Sequence, residues 1–593
     1  MEIKTILAKS TDHFLRRLNL YSLLFHKTDF NTKKHVVYKI ADLGFSKNKK
    51  FEGFINEFPT DKYFVFGRLL KENKIIRETG KSVPFWKCSW KGFDPKDFWE
   101  IARGWQWLPA YLEAKKNNRS LAIEKIIAWL EANPYPNGLA WAVGLDVAIR
   151  GMNLLLIYEI SQDNRLINYL WQHYIYLKKM LWLSKNAIRN NHYLGELTAL
   201  TILAKFFGLS NFKRLRECLA KEIKHQFYED GVNKEQSIRY HKFSLEFVVL
   251  AYLFLDIKSP VIEKAAEFIL ATMKPDRTWP SIGDDDMGCV VRLHNEPING
   301  DYLALLSLIG LLLKSGEIKY ITKNLSNEAK LLLKDSEKAW EEIKEKEPKK
   351  THIFENGGYL IHRTGWTEND SYFLLKFGPH KWHAHADLFH IELMIKGTPI
   401  LIDSGTYKYY YKFGRLDIPE KRKYFRSTAA HNTMEFDGLD QTKQWTTFRW
   451  HKPAKVIDWK IDQNNESIFF TGAHDGYKNR GIIHRRTVKL EKNLKIIEIE
   501  DSITGKGKGI CKVYWHFHPE VTVEINSKST VSITKNGKII GQIQIKSEKP
   551  VLLKKIETLY SKYYSHLSTK YTLVIEFHKS QRNAKVSTIL NFE

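Results

Sequence analysis

A chain of 593 residues, 43% of them hydrophobic, is long enough for two or three domains with ordinary cores. Its four cysteines (Cys88, Cys218, Cys289 and Cys511) are far apart and form no C-x-x-C pair, which argues against a disulfide scaffold and a thiolate zinc site. The net charge of +26 suits a polyanion such as nucleic acid, an anionic membrane or an acidic polysaccharide, although scattered lysines also make an ordinary solvated surface; no recognised nucleic-acid-binding motif accompanies the charge.

The first ten residues, Met1 to Ser10, lack the basic-then-apolar pattern of a signal peptide. As it stands the chain reads as cytoplasmic, or as periplasmic or secreted if a signal was removed. The longest apolar runs, such as Leu303 to Leu313, are too short to span a bilayer, so no membrane span is expected.

Residues 1–90 are mixed, with extended pieces such as Tyr63-Phe-Val-Phe66, and read as an N-terminal arm or small subdomain. From Asp97 the texture turns helical. Apolar residues recur at three-and-four spacing over 97–108, 119–132, 141–160, 164–184, 192–208, 211–229, 241–256, 259–273 and 300–314. Short turns such as Asn133-Pro-Tyr-Pro-Asn-Gly138 separate several of these segments, which suggests helical hairpins across a domain of residues 91–345. Residues 323–350 are charged and read as one more solvated helix leading into a linker.

After Thr351 the period becomes two. Strands are expected at 358–363, 371–377, 391–395, 400–402, 467–471, 486–489, 495–500, 512–518, 521–525 and 571–577. Helices in one block and strands in the next indicate separate α and β domains, with residues 351–593 forming an antiparallel β-sandwich.

Within the β part lies Trp382-His-Ala-His-Ala-Asp-Leu-Phe-His390, followed by Asp403 at the end of the next apolar run and by His431. Imidazole and carboxylate in such density suit either metal ligation or proton transfer near neutral pH; satisfied polar groups at a sheet edge are the plainer reading. Lys396-Gly397 is a plausible tight turn. In a plain two-residue hairpin Asp403 stands opposite His390, and His385 reaches it only if 382–387 folds back as a loop. Register alone therefore makes His390 a rival of His385 as partner of Asp403.

His383-Ala-His-Ala-Asp387, Pro399-Ile-Leu-Ile-Asp-Ser-Gly-Thr-Tyr407 and Phe425-Arg-Ser-Thr-Ala-Ala-His-Asn-Thr433 together resemble the C-terminal signature of heparinase II/III-type polysaccharide lyases. That family's fold is an incomplete (α/α) toroid followed by an antiparallel β-sandwich. The resemblance implies that His383 is catalytic and that His385, Asp403 and His431 hold a divalent metal, usually zinc, in a structural rather than catalytic role. It favours His385 over His390. In the helical half, Asn190-Asn-His-Tyr-Leu-Gly-Glu196 resembles the element whose Asn, here Asn191, neutralises a substrate carboxylate, helped in some members by the position of His192. Glu235-Gln-Ser-Ile-Arg-Tyr-His241 resembles the segment with the catalytic tyrosine, here Tyr240. Trp279-Pro-Ser-Ile-Gly-Asp-Asp-Asp286 is also similar. Some members use a second tyrosine about fourteen residues before the last metal histidine; here that position is Asp417, and no such role is assigned.

These residue types suit β-elimination across a 4-linked uronic acid. An amide and an imidazole can neutralise the carboxylate and so acidify the C5 proton. Tyr and His can accept that proton and protonate the departing O4, provided positive neighbours lower the phenol's pKa. Tyr240 and His383 fall in different sequence blocks, so the expected site is a cleft between domains. Plainer readings stand beside each choice. Asn191 also suits a helix cap, His192 a hydrogen bond within the helical layer, and Tyr240 the core face of an amphipathic helix. Asp284-Asp-Asp286 suits a cation or a capped turn. Lys421-Arg-Lys423 and Arg426 suit an anion guide or a solvated loop. Trp105, Trp107 and Trp141 suit sugar stacking or core packing.

The expected function is a lyase acting on an acidic, uronate-containing polysaccharide: a glycosaminoglycan, an alginate-like uronan or a bacterial exopolysaccharide. The rivals are a uronate C5-epimerase, which returns the proton, and a non-catalytic acidic-polysaccharide-binding protein of capsule assembly.

Overall fold

The structure is a computed structural model that describes residues 2–17, 20–21, 25, 37, 39, 62–65, 68–71, 83–88, 95–114, 119–293, 300–409, 418–580 and 583–592. By contact density the chain divides into two units. A helical unit comprises residues 1–227, 242–266 and 288–347, and a β unit comprises 228–241, 267–287 and 348–593. Two stretches that the periodicity places among the helices, 228–241 and 267–287, thus belong to the β unit. Helix Ile238–Leu255 contributes its first turn, with Tyr240, to the β unit and its remainder to the helical unit.

In the helical unit the three-and-four spacing becomes a succession of helices, including Arg119–Ala132, Gly144–Ser161, Arg165–Leu183, Asn191–Phe206, Phe212–Gln226 and Gly300–Leu313. Gly144–Ser161 is buried along nearly its whole length and so carries Asp146 and Arg150 into the core. Both are paired there: Arg103 Nε donates to Asp146 at 2.7 Å, and Arg150 Nε donates to His173 Nε2 at 2.9 Å while its guanidinium lies 4.8 Å from the Trp141 ring centre. A buried charge needs such partners. Residues 323–350 hold two short helices, Asn327–Leu332 and Ser336–Glu341, rather than one. The first ends at Leu333, which is extended (φ −127°), and Asp335, at φ +52°, is the N-cap of the second. Among the described residues, no helix is long and apolar enough to cross a membrane. Near the N-terminus, Lys62–Val65 pairs with Arg68–Lys71 as a hairpin.

The β unit contains sheets of eight, four and five strands, with every pairing antiparallel. Leu360 and Leu393 of the five-stranded sheet, Phe470 and Val488 of the eight-stranded one, and Trp515 and Ile575 of the four-stranded one share one apolar core. Strand Ile482–Glu491 alternates in burial, sending His484, Arg486, Val488 and Leu490 inward. Arg486 faces Asp501 on the neighbouring strand and grips it through Nε and Nη2, both at 2.8 Å. The same carboxylate takes His484 Nε2 at 2.7 Å. Arg486 Nη1 then donates to the carbonyls of Phe389 and Asn432, 2.7 Å each.

Strands absent from the periodicity reading include Thr351–Phe354, Met434–Phe436, Lys443–Gln444, Trp450–His451, Val456–Gln463, Thr530–Lys535, Lys538–Ser547, Val551–Tyr560 and Ala584–Phe592. Lys396-Gly397 does form a tight turn, both residues at positive φ. The hairpin it closes is not plain, however. Met394 pairs with Pro399 and Leu393 with Leu401, so Ile400 is an extra residue on the second strand. That bulge removes the register argument for His390 opposite Asp403.

Replacing Arg486 with Met leaves Asp501 charged and buried with only His484. We expect a loss of about 3–5 kcal/mol in the denaturant-induced unfolding of the β unit. A loss below about 1 kcal/mol contradicts the assigned role.

Candidate active site and metal centre

Three loops and one helix start meet at the site, all within the β unit. Helix Ile238–Leu255 begins at Ser237, whose Oγ accepts the Tyr240 amide at 3.1 Å, an N-cap bond. The same hydroxyl donates to the Asp284 carbonyl. Gly283, at φ +73°, lies so close to Gln236 and His383 that a Cβ there would meet the carbonyl oxygen of each at 2.7 Å. Only glycine therefore lets the 281–286 segment pass between them. Backbone bonds complete the seam: the His383 amide to the Glu235 carbonyl at 3.1 Å, and the Asp284 amide to the His383 carbonyl at 2.8 Å.

Residues 381–390 form a folded loop, not an extended strand. His383 points Nδ1 at Asp284 Oδ2, 2.8 Å away, and Nε2 lies 3.3 Å from Glu235 Oε2. Its ring stacks on Tyr240, with centroids 3.8 Å apart and planes 7° apart. The Tyr240 hydroxyl is 2.9 Å from that of Tyr409.

Asp284 is the hub. It takes His383, His385 Nε2 at 3.0 Å, and both Nη atoms of Arg422 at 2.5 and 2.7 Å. Burial disfavours its charge, but Arg422 and the histidine hydrogen bonds win and hold the carboxyl well below its ordinary range. Asp285 does cap a turn, its Oδ1 accepting the Met287 amide at 2.8 Å, and Asp284 and Asp285 are also committed to cationic side chains. Asp284 orients the imidazoles, and Asp285 Oδ1 takes Arg239 at 3.1 Å. Arg422 and Arg426 are buried, the latter bonded to the Thr446 carbonyl and lying 4.0 Å from the Trp450 ring centre. That removes the anion-guide reading for both arginines, while Lys421 and Lys423 remain exposed.

His385, Asp403 and His431 are all buried, and their ligand atoms lie within 4.8 Å of one another. Two imidazoles and a carboxylate match the donor set of zinc. His385 has given Nε2 to Asp284, and its Nδ1 has no hydrogen-bond partner among the described residues. His431 Nδ1 lies 2.8 Å from Asp403 Oδ2, and its Nε2 likewise has no hydrogen-bond partner among the described residues. Burial keeps the His385 ring neutral, its pKa down to about 4, so a lone pair is available. The residues fit a metal. Asp403 is held well below the carboxylate range, because His431 and the nearby histidines outweigh its burial.

His390 is excluded on tautomeric grounds. Its Nδ1 accepts the Asn432 amide at 3.0 Å, so in the neutral ring Nε2 carries the proton and offers no lone pair. That nitrogen lies 3.5 Å from Glu392 and 3.7 Å from Asp403. Asp387, in the same motif, is taken by Lys376 Nζ at 2.7 Å to each oxygen.

Asn191 and His192 lie in the helical unit, at the start of helix Asn191–Phe206. The cap there is Asn190, whose Oδ1 accepts the His192 amide at 3.1 Å, so capping does not account for Asn191. Trp105, Trp107 and Trp141 are buried core residues, not a sugar platform. Asp417 lies outside the described residues. The interdomain expectation for Tyr240 and His383 is corrected, since both belong to the β unit. The sequence offers Asp284 only as part of a cation site or capped turn and Arg422 only as an anion guide, and it singles out neither Glu235 nor Tyr409.

Comparison with known proteins places this geometry in context. The heparinase II/III-like C-terminal family model matches residues 346–589, and the heparinase II/III N-terminus model matches residues 123–295. The chain belongs to the heparinase II/III-like family. A heparin-sulfate lyase of Bacteroides stercoris is 24% identical over 353 residues, covering 56% of this chain and 46% of the relative. One from Pedobacter heparinus is 25% identical over 309 residues, covering 50% and 41%. The chain thus matches under half the length of these relatives. A heparinase III crystal structure superposes with a TM-score of 0.65 at 18% identity, over 86% of this chain and 79% of that one. The fold is accordingly the incomplete (α/α) toroid followed by an antiparallel β-sandwich that this heparinase fold shares.

Replacing Asp284 with Asn keeps the shape but leaves the buried Arg422 without its counter-charge. We expect about 3–5 kcal/mol of destabilisation at neutral pH. Because the native carboxyl is depressed, its contribution is present above about pH 4 and fades as pH falls toward the native value. The variant should therefore lose less stability than the parent on acidification below about pH 4, measured by urea unfolding; equal slopes would contradict the ion-pair assignment.

Proposed function

We propose that the protein is a polysaccharide lyase that cleaves an acidic, uronate-containing polysaccharide, of glycosaminoglycan type, by β-elimination. The observation that carries this reading is the Tyr240–His383 stack: a phenol and an imidazole face to face at one site, the imidazole fixed through Nδ1 by Asp284. The names of the heparin-sulfate lyase relatives and the +26 charge support a glycosaminoglycan as the polymer.

In this reading the Tyr240 phenolate removes the C5 proton of the uronate, the C4–O4 bond breaks as the C4–C5 double bond forms, and the new phenol protonates O4. His383 takes part through Nε2, the nitrogen not held by Asp284, hydrogen-bonding the reacting sugar. By resemblance of its motif alone, the Asn190–Glu196 segment of the helical unit assigns Asn191, with His192 beside it, the role of carboxylate neutralisation, which lowers the barrier to C5–H removal. His385, Asp403 and His431 would hold a divalent metal, zinc by donor type. Its role when bound is to supply a fixed positive centre that ties the loop bearing His383 to Asp403 and His431.

The test is ultraviolet absorbance on a panel of acidic polysaccharides. Wild-type protein should raise it on at least one glycosaminoglycan, and Tyr240→Phe and His383→Ala should each reduce the rate about 10²–10⁴-fold without unfolding. Proton return at C5 with no absorbance rise would favour an epimerase, and binding unaffected by either variant with no chemistry would favour a carrier. Purified protein should contain about one zinc per chain. His385→Ala and His431→Ala should lower that content and the melting temperature together; unchanged metal in both would overturn the ligand set.

A further inference from the structure

The phenol pair carries more than the elimination reading requires. Tyr240 and Tyr409 are both buried, with their hydroxyl oxygens 2.9 Å apart. Tyr409 is locked in place: its amide donates to the Tyr564 hydroxyl at 3.1 Å, its ring meets Phe448 edge-on at 5.0 Å and Tyr564 at 5.3 Å, and the Arg422 guanidinium lies 4.9 Å from its ring centre. Such a short contact between two phenols is one hydrogen bond with two possible directions. The phenol less able to ionise keeps its proton and donates.

We propose that Tyr409 is a positioning residue whose hydroxyl donates to the oxygen of Tyr240, making Tyr240 the phenol that ionises and acts as base. This rests on the elimination reading above. Burial first, then the negative charge of Tyr240, Asp286 and Asp284, push Tyr409 well above the ordinary phenol range, with Arg422 opposing. Tyr409 therefore stays protonated at working pH. The charged or titratable groups around the pair are His383 on the 381–390 loop, with Glu235 beyond it, Asp284 and Asp286 on the 281–287 loop, Arg422 on helix Glu420–Arg426, and Tyr564. Arg422 is committed to Asp284, while the Tyr409 hydroxyl is a neutral donor in hydrogen-bond contact with the Tyr240 oxygen. A hydrogen bond to an ionised acceptor lowers that acceptor's pKa.

The chemistry balances without any further reactant. Tyr240 loses its proton to solvent before substrate turnover, gains the C5 proton, and passes it to O4; Tyr409 donates throughout and is unchanged.

The experiment is Tyr409→Phe, read in two ways. In the pH profile of kcat/KM, the acidic limb should move upward by about one unit or more, and kcat at neutral pH should fall about tenfold or more with KM little changed. Independently of any substrate, ultraviolet titration of tyrosinate, differenced against Tyr240→Phe, should show the Tyr240 ionisation moving upward by a similar amount. Tyr409→Met, a flexible apolar filler, should give the same shift if the Phe variant melts early. A lower rate with the limb and the tyrosinate signal both unmoved would mean Tyr409 only packs, and would overturn the proposal. If wild-type protein eliminates no acidic polysaccharide, the functional reading fails, while the tyrosinate titration still decides the direction of the phenol pair.

Discussion

One carboxylate, Asp284, receives Arg422, His383 and His385 at the same time, all four fully or nearly fully buried. A lone buried aspartate would take up a proton and lose its grip on each of them. The bidentate guanidinium keeps it ionised, and the ionised form fixes both imidazoles. His383 is turned so that Nδ1 is occupied and its face meets Tyr240; His385 is turned so that Nε2 is occupied and Nδ1 is left for a metal. One charge thus sets the orientation of a proposed catalytic residue and of a proposed ligand two positions away.

Around that carboxylate the β unit supplies rigidity. Asn432, beside His431, has its amide on His390, its side-chain amide on the carbonyls of Ile391 and Ile402, its side-chain oxygen on the His516 amide, and its carbonyl on Arg486. Arg486 also takes the Phe389 carbonyl and is itself held by Asp501 inside the apolar core. The ion pair in the sheet therefore holds the backbone on both sides of the proposed ligand cluster. A metal at His385, Asp403 and His431 would close a framework that hydrogen bonds have already built. This accords with a structural metal and with proton transfer at side chains.

The sequence spoke clearly where packing is local and repetitive. The helices of the helical unit follow from three-and-four spacing, and strands such as Ile482–Glu491 from alternation, although the central strands Lys538–Ser547 and Ala584–Phe592 do not. The strands missed include the sheet edges Val456–Gln463 and Val551–Tyr560, largely exposed and hence without alternation. His383, His385 and His390 stand out by density, but the choice between His385 and His390 turns on a bulge at Ile400 that no periodicity encodes. Asp284 lies 99 residues from His383. Tyr409 lies 169 residues from Tyr240 and is the first of three successive tyrosines. Contacts at that separation leave no local pattern, so only family resemblance brought Tyr240 to notice, and nothing brought Tyr409.

The account's central claim is that the uronate reacts at Tyr240 and His383. The most direct measurement is a crystal structure of the Tyr240→Phe protein soaked with a glycosaminoglycan oligosaccharide. The account predicts a uronate whose C5 hydrogen faces the position of the missing hydroxyl, within hydrogen-bond reach of His383 Nε2. A uronate bound elsewhere, with C5 out of reach of both rings, would contradict it.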